Sequence, residues 1–221
     1  MDFYTLTEGF LKKDAIDRFN SAIWTERYAR PGDVTLVVDP TPEMIARLAE
    51  GTYLALDGSD EVMILDTQTI ENGVLKVEGR SLLGFLENRA FSSNGDMWAK
   101  SWYAQGFLPE NLITHIIRYY VIIVDPNGDP YLYNGTVDYN TGGPLNAIPN
   151  LEIDSVSSSY SPVNFAVPHG QVLDVIQQVA DTWNLGIRMY LLDADESGHQ
   201  IRFRVYAGID RSTQVIFSPA L

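Results

Sequence analysis

The 221 residues hold 29 acidic and 15 basic side chains, a formal net charge of −14, and no cysteine. Disulfides, thiolate nucleophiles and cysteine-ligated zinc are thereby excluded, and an excess of acid argues against a duplex-DNA binder, which gains affinity by neutralising phosphates. With 45% hydrophobic and 20% charged residues the composition is globular rather than disordered, and no apolar run approaches the roughly 20 residues of a membrane-spanning helix.

The start, Met1-Asp2-Phe3-Tyr4, has neither the basic nor the apolar region of a secretory signal. Phe3 to Leu6 alternates and predicts a first strand. Asp17 to Tyr28 predicts a longer one, with Phe19, Ala22 and Trp24 as its apolar positions. Pro31-Gly32-Asp33 is turn chemistry, with Pro setting φ and Gly free to take positive φ. Val34 to Val38 is β-branched and predicts a strand. Thr41 as N-cap, Pro42 at the first position and Glu43 in the first turn open a helix, which Met44, Ile45, Leu48 and Ala49 continue and Gly51 ends. Strands follow at Tyr53 to Leu56 and Val62 to Thr69. Asn72-Gly73 predicts a type I′ hairpin into Val74 to Glu78, and Ser81 caps a short helix from Leu82 to Asn88. Residues 1–90 therefore predict a small antiparallel barrel or half-barrel with a helix packed on it, which would hide its sheet edges.

From 91 to 163 the chain is dense in Gly, Asn, Asp and Pro and predicts an inserted α+β subdomain around one helix, Pro109 to about Val121. In the third part, 164–221, His169 to Asn184 is amphipathic, with Gly186 ending the helix. Strands are expected at Ile187 to Leu192, Ile201 to Tyr206 and Gln214 to Phe217. The order of elements partly echoes Thr41 to Val77, without a sequence repeat.

Few residues suggest chemistry. His115, His169 and His199 are far apart and form no metal-binding motif. His115 lies on an apolar helix and is expected in a core or interface; the other two are expected in solvent. Asp125, Asn127 and Asp129 match the first three ligands of a calcium loop, but Pro130 stands where that loop needs Gly and Thr136 where it needs Glu. A plain turn accounts for them. Glu61, Asp66, Asp193, Asp195 and Glu196 qualify as carboxylate catalysts only by being acidic, and Asp193 to Glu196 fits a solvated hairpin tip. No nucleophile elbow or phosphate loop is present. Trp24 and Arg27 are an odd number of residues apart, hence on opposite strand faces. Trp24 is expected in the core and Arg27 in an ion pair across a neighbouring strand or a subunit boundary. Arg80 and Arg89 are likewise expected in structural pairs. The aromatic stretch Trp98 to Tyr103, with Phe107, suits either a partner-facing surface or a local core.

One spaced constellation goes further. Ile23-Trp24-Thr25-Glu26-Arg27-Tyr28, the turn around Gly32, then Gly79-Arg80-Ser81-Leu82-Leu83 closing at Arg89, resembles the start of the minor tail, or tail-tip hub, proteins of long-tailed bacteriophages of actinobacteria. Gly208-Ile209-Asp210-Arg211-Ser212 and Val215-Ile216-Phe217-Ser218 resemble that family's closing stretch, with Ser212 and Thr213 where one Thr is usual. The resemblance implies a mixed α+β, mainly β chain with two tube-like antiparallel barrel or half-barrel domains, packed helices and the inserted subdomain. It implies a structural virion component: a homotrimeric tail-tip (baseplate) hub in which duplicated domains match a six-fold tube to a three-fold tip. Its partners would be the distal tail protein ring, the tape measure protein and other tail-tip or receptor-binding proteins. DNA would be met only in passage, through a conduit whose acidity repels phosphates. No cofactor, catalytic residue or metal is implied, and localisation would be the virion tail tip after assembly in the host cytoplasm. The alternatives are a hexameric distal tail protein, a receptor-binding module and a wall-degrading module. In the family more sequence commonly follows, so a short member and a piece of a longer polypeptide both remain open.

Overall fold

A computed structural model describes residues 2–91, 101–122, 132–133, 136–137, 148, 151–154, 160–192 and 200–208. Seven strands form the first sheet: β1 Phe3–Leu6, β2 Lys12–Ile16, β3 Ser21–Thr25, β4 Asp33–Val38, β5 Tyr53–Leu56, β6 Val62–Glu71 and β7 Val74–Ser81, in the order β2-β1-β5-β6-β7-β4-β3. All their pairings are antiparallel. Period-2 alternation turns Val34, Leu36 and Val38 of β4 and Leu75 and Val77 of β7 to one face, where they are fully or almost fully buried.

The sheet rolls around a first core. Phe3, on a strand next to one edge, stands 6.0 Å between ring centroids from Trp24 on the opposite edge strand, and 5.4 Å edge-on from Phe19. Helix α1, Pro42–Arg47, brings Met44, Ile45 and its C-cap Leu48 into the same core. Aromatic side chains thus bring the two rims together, but no ladder joins β2 to β3 among the described residues. No closed barrel is formed here among the described residues.

β5 and β6 are apolar on both faces for a reason the topology supplies. Leu54 and Met63 face the first core, while their neighbours Ala55 and Val62 face a second. That second core is built from the 3-10 helix Leu82–Asn88, β8 Ala90–Phe91, β9 Ser101–Phe107 and helix α2 Pro109–Tyr120. Two minor strands, β10 Leu132–Tyr133 and β11 Thr136–Val137, pair with each other, and β12 is Leu151–Ile153. β13 Val163–Pro168, β14 Gly170–Gln171, helix α3 Val172–Thr182, β15 Leu185–Leu192 and β16 Gln200–Ala207 complete the described chain. Helix α3 buries Val172, Leu173, Val175, Ile176, Val179 and Ala180, a stripe at helical spacing. The sheet β12-β16-β15 mixes a parallel pair with an antiparallel one.

The three-part reading placed boundaries at 90/91 and 163/164. In the structure β8 pairs with β14, β9 with β13, and α2 shares a core with α3. The middle and third parts share one core, to which Leu6, Ala55, Val62 and Leu82 of the first part also contribute. No second barrel is formed among the described residues, and the expected strand at Gln214 to Phe217 lies outside them.

Local expectations differ in instructive places. The chain from Lys12 to Thr25 holds two strands, β2 and β3, not the single long one expected from Asp17. Gly51 takes positive φ (83°), but the helix C-cap is Leu48, three residues earlier. Helix α3 ends through Asn184, at φ 49°, and Gly186 already lies inside β15. Gly186 is needed there because a Cβ would overlap the ring of Tyr206 across the ladder.

Candidate functional site

β3 leaves the first sheet at Thr25, and the following loop carries the Glu-Arg-Tyr stretch along the junction of the two cores. Trp24 is half-buried against the first core and donates from Nε1 to Glu26 Oε1 at 3.1 Å. Arg27 is exposed on the other side. It pairs with Asp33 on neighbouring β4 and donates to the Pro31 carbonyl at 2.8 Å, which fastens the turn to itself. The expectation placed both side chains on one strand; β3 ends at Thr25, so Arg27 lies in the loop beyond it and strand alternation does not govern its direction.

Tyr28 joins the loop after β3 to the end of α3 and to the β15–β16 hairpin. Its hydroxyl donates to the Asn184 carbonyl at 2.8 Å and accepts from the Gly208 amide at 2.6 Å. Its ring meets Tyr206 edge-on at 5.3 Å, and its carbonyl accepts from Ile187 N at 2.9 Å. A Cβ on Gly208 would stand only 2.7 Å from the Tyr28 hydroxyl, so that contact requires glycine. Two motif positions separated by 180 residues thus touch directly.

Gly32 does not use glycine's freedom at positive φ. A Cβ there would overlap the Thr25 carbonyl oxygen and come within 3.1 Å of both Glu61 Oε2 and Met63 Cε. This close approach sets Gly32 opposite Ser81. The Gly32 amide donates to Ser81 Oγ at 3.0 Å, and the Ser81 amide donates back to the Gly32 carbonyl at 2.9 Å. Ser81 is 2% exposed and makes no side-chain cap to the 3-10 helix that follows it. Its expected capping role is replaced by this bond across the fold.

Gly79 faces a bulge. The β6–β7 register shifts between Leu65 and Thr67, leaving Asp66 as the extra residue, and a Cβ on Gly79 would overlap the Ile64 carbonyl. Bulges re-aim side chains; here Asp66 meets Arg80 Nε at 3.1 Å. Arg80 also pairs with Glu87 and lies against Gly84 of the 3-10 helix. Arg89 is half-buried and donates to the Phe85 carbonyl, and burial holds its pKa below the ordinary arginine value. Its own carbonyl accepts from Val172 N at 2.7 Å and so receives the first turn of α3. Asp210, Arg211 and Phe217 lie outside the described residues, as do His199, the run Asp125 to Asp129, Trp98 and Asp193 to Glu196.

Sequence reasoning missed the rest of the seam. Arg188 of β15 grips Asp60 with two bonds, at 3.2 and 2.9 Å, and Leu191 N donates to the Asp60 carbonyl at 2.8 Å. Glu61 is 5% exposed, and its carboxyl is pushed up to about 7, chiefly by burial and then by Glu26, with Arg188 opposing and Asp60 adding. His115 is half-buried and edge-on to Phe107 at 5.2 Å, and burial, then Arg118, lowers its pKa. Tyr103 is 56% exposed whereas Phe107 packs against the second core, so the aromatic stretch divides between surface and interior. No helix among the described residues is long and apolar enough to cross a membrane. Taken together, the gathered motif residues form structural joints: reciprocal backbone bonds, paired guanidiniums and one bridging phenol.

The family model described as Siphovirus ReqiPepy6 Gp37-like protein matches residues 9–221. The crystal structure of prophage tail protein gp18 from Listeria monocytogenes EGD-e shares the fold, with a TM-score of 0.50 and 12% identity over 92% of this chain and 50% of that one. The E. coli c3393 protein is described as a type VI secretion component with structural similarity to T4 bacteriophage tail proteins gp27 and gp5. It aligns over 83% of this chain and 46% of its own at 10% identity, with a TM-score of 0.35. The chain spans about half the length of these solved structures. No curated protein matches it. The likeness read from Trp24 to Arg89 and from Gly208 onward agrees with a siphoviral family and with the fold of a tail protein.

Proposed function

Because the chain belongs to the Siphovirus ReqiPepy6 Gp37-like family, we propose that this phage tail protein is a tail-tip (baseplate) hub component that works as a homotrimer. Family membership over residues 9–221 is the observation that carries the reading. In this role three copies join the hexameric tail tube to the tip and border the conduit through which DNA leaves. Its neighbours are the distal tail protein ring, the tape measure protein and other tail-tip proteins. Its place is the virion tail tip, after assembly in the host cytoplasm.

Three features support a mechanical role over a catalytic one. The motif side chains within the described residues are engaged with one another or with backbone, as joints rather than as a reactive centre. Among the described residues the rolled sheet keeps two unpaired edges, β2 and β3, and free edges are templates for pairing with another chain. A net charge of −14 suits a wall that DNA passes without adhering.

Native mass spectrometry of the full-length protein, alone and with reconstituted tail tube, tests the reading. A trimer that caps tube ends is the expected result. A six-membered ring would make the protein a distal tail component instead. A monomer that clears host cell-wall substrate in a zymogram would overturn the structural role altogether.

A further inference from the structure

Glu61 precedes β6 at the seam between the rolled sheet and the β15–β16 hairpin. It is 5% exposed, and its Oε2 has no hydrogen-bond partner. That oxygen lies close to the Pro31–Asp33 turn, since a Cβ on Gly32 would stand 3.1 Å from it. The charged and titratable groups that act on it are Glu26 from the loop after β3, Asp60 beside it, Arg188 from β15 and Tyr206 from β16. The one cation among them, Arg188, is already held in two bonds by Asp60. Glu26 is occupied too, receiving Trp24 Nε1 at 3.1 Å and Ser59 Oγ at 2.6 Å. A buried carboxyl with an unbonded oxygen and acidic neighbours is tolerated far better neutral than charged.

We propose that Glu61 is a proton-operated latch: neutral, it allows the β15–β16 hairpin to close on the rolled sheet, and ionised, it loosens that seam. The direction in pH follows from linkage. In the unfolded chain the carboxyl titrates near its ordinary value of 4.5, and in the folded chain it is pushed up to about 7. The folded state therefore holds the proton more tightly. The stabilisation is complete below about 4.5, is lost as pH rises to about 7, and stays absent above. Two backbone bonds span the seam and report its closure: Ile187 N to the Tyr28 carbonyl at 2.9 Å and Leu191 N to the Asp60 carbonyl at 2.8 Å.

Amide hydrogen exchange of the full chain at pH 5.5 and pH 8, corrected for intrinsic rates, tests the latch. Protection of Ile187 and Leu191 is expected to fall by at least about tenfold, the factor carried by one pKa unit, while amides of the β4–β7 ladder hold. Glu61→Gln keeps the shape and cannot ionise, so it should abolish the fall. A ¹³C carboxyl titration of Glu61 in the unaltered protein should give a midpoint of about 7, the pH at which the loss of protection levels off, and it needs no variant to fold. Protection that ignores pH, a fall that persists in Glu61→Gln, or a Glu61 midpoint near 4.5 would each overturn the proposal.

Discussion

A single hydroxyl on Tyr28 and a single hydroxyl on Ser81 hold distant parts of this chain together, and their surroundings rank them. Ser81 is 2% exposed and its Oγ accepts from the Gly32 amide. Ser81→Ala leaves that amide without a partner in an interior that water does not reach, at a cost of about 1–3 kcal/mol. Tyr28 is 37% exposed, so in Tyr28→Phe water can replace the lost partner of both Asn184 and Gly208. The expected loss is about 1 kcal/mol, that of an ordinary net hydrogen bond. Urea denaturation of both variants checks the order: the midpoint should drop further for Ser81→Ala. The Arg80 pairs rank lower still. Arg80, Asp66 and Glu87 are each more than a third exposed, and solvent limits such pairs to about 0–1 kcal/mol.

The elements divide by whether their signal is local. Helix α1 was readable because its cap lies within four residues: Thr41 accepts from Met44 N at 3.2 Å, and Pro42 fills the first position. The cap is exposed, and Thr41→Ala should cost about 1 kcal/mol, seen as a lower thermal midpoint with the baseline ellipticity unchanged. The Asn72-Gly73 hairpin was equally readable, since both residues take positive φ, 51° and 77°, as a type I′ turn requires. Gly73→Ala should cost about 1 kcal/mol, checked by the same melt. β2 was not readable, because Lys12-Lys13-Asp14 is an exposed edge with no apolar alternation. Serine before a leucine run is a local cap signal, whereas the true partner of Ser81 is 49 residues away. The meeting of Tyr28 with Asn184 and Gly208 was invisible for the same reason. Period and capping act over a turn or two, and a seam between two cores leaves no such trace. Glu61 could be singled out only as an acid, since nothing in Asp60-Glu61-Val62 separates a buried glutamate from an exposed one.

Over the whole molecule, two electrostatic effects oppose each other, and their sizes predict the response to salt. Exposed pairs such as Lys12 with Asp57 at 3.2 Å and Arg30 with Asp181 at 2.6 Å are weakened by added ions. Each contributes about 0–1 kcal/mol at most, so their loss is small. Against them stands the mutual repulsion of a chain with 29 acidic and 15 basic residues, which favours any expanded state over the folded one. Raising salt from 10 to 150 mM shortens the screening length from about 30 to about 8 Å. That removes repulsion between carboxylates on separate faces and leaves contacts inside the seam nearly intact. Salt should therefore stabilise the folded chain and also favour self-association, because like-charged copies repel over the same distances. Thermal melts and sedimentation velocity across that range measure the two responses separately. A melting point that falls with salt would mean that the exposed ion pairs, rather than the surplus of acid, dominate the electrostatics of the fold.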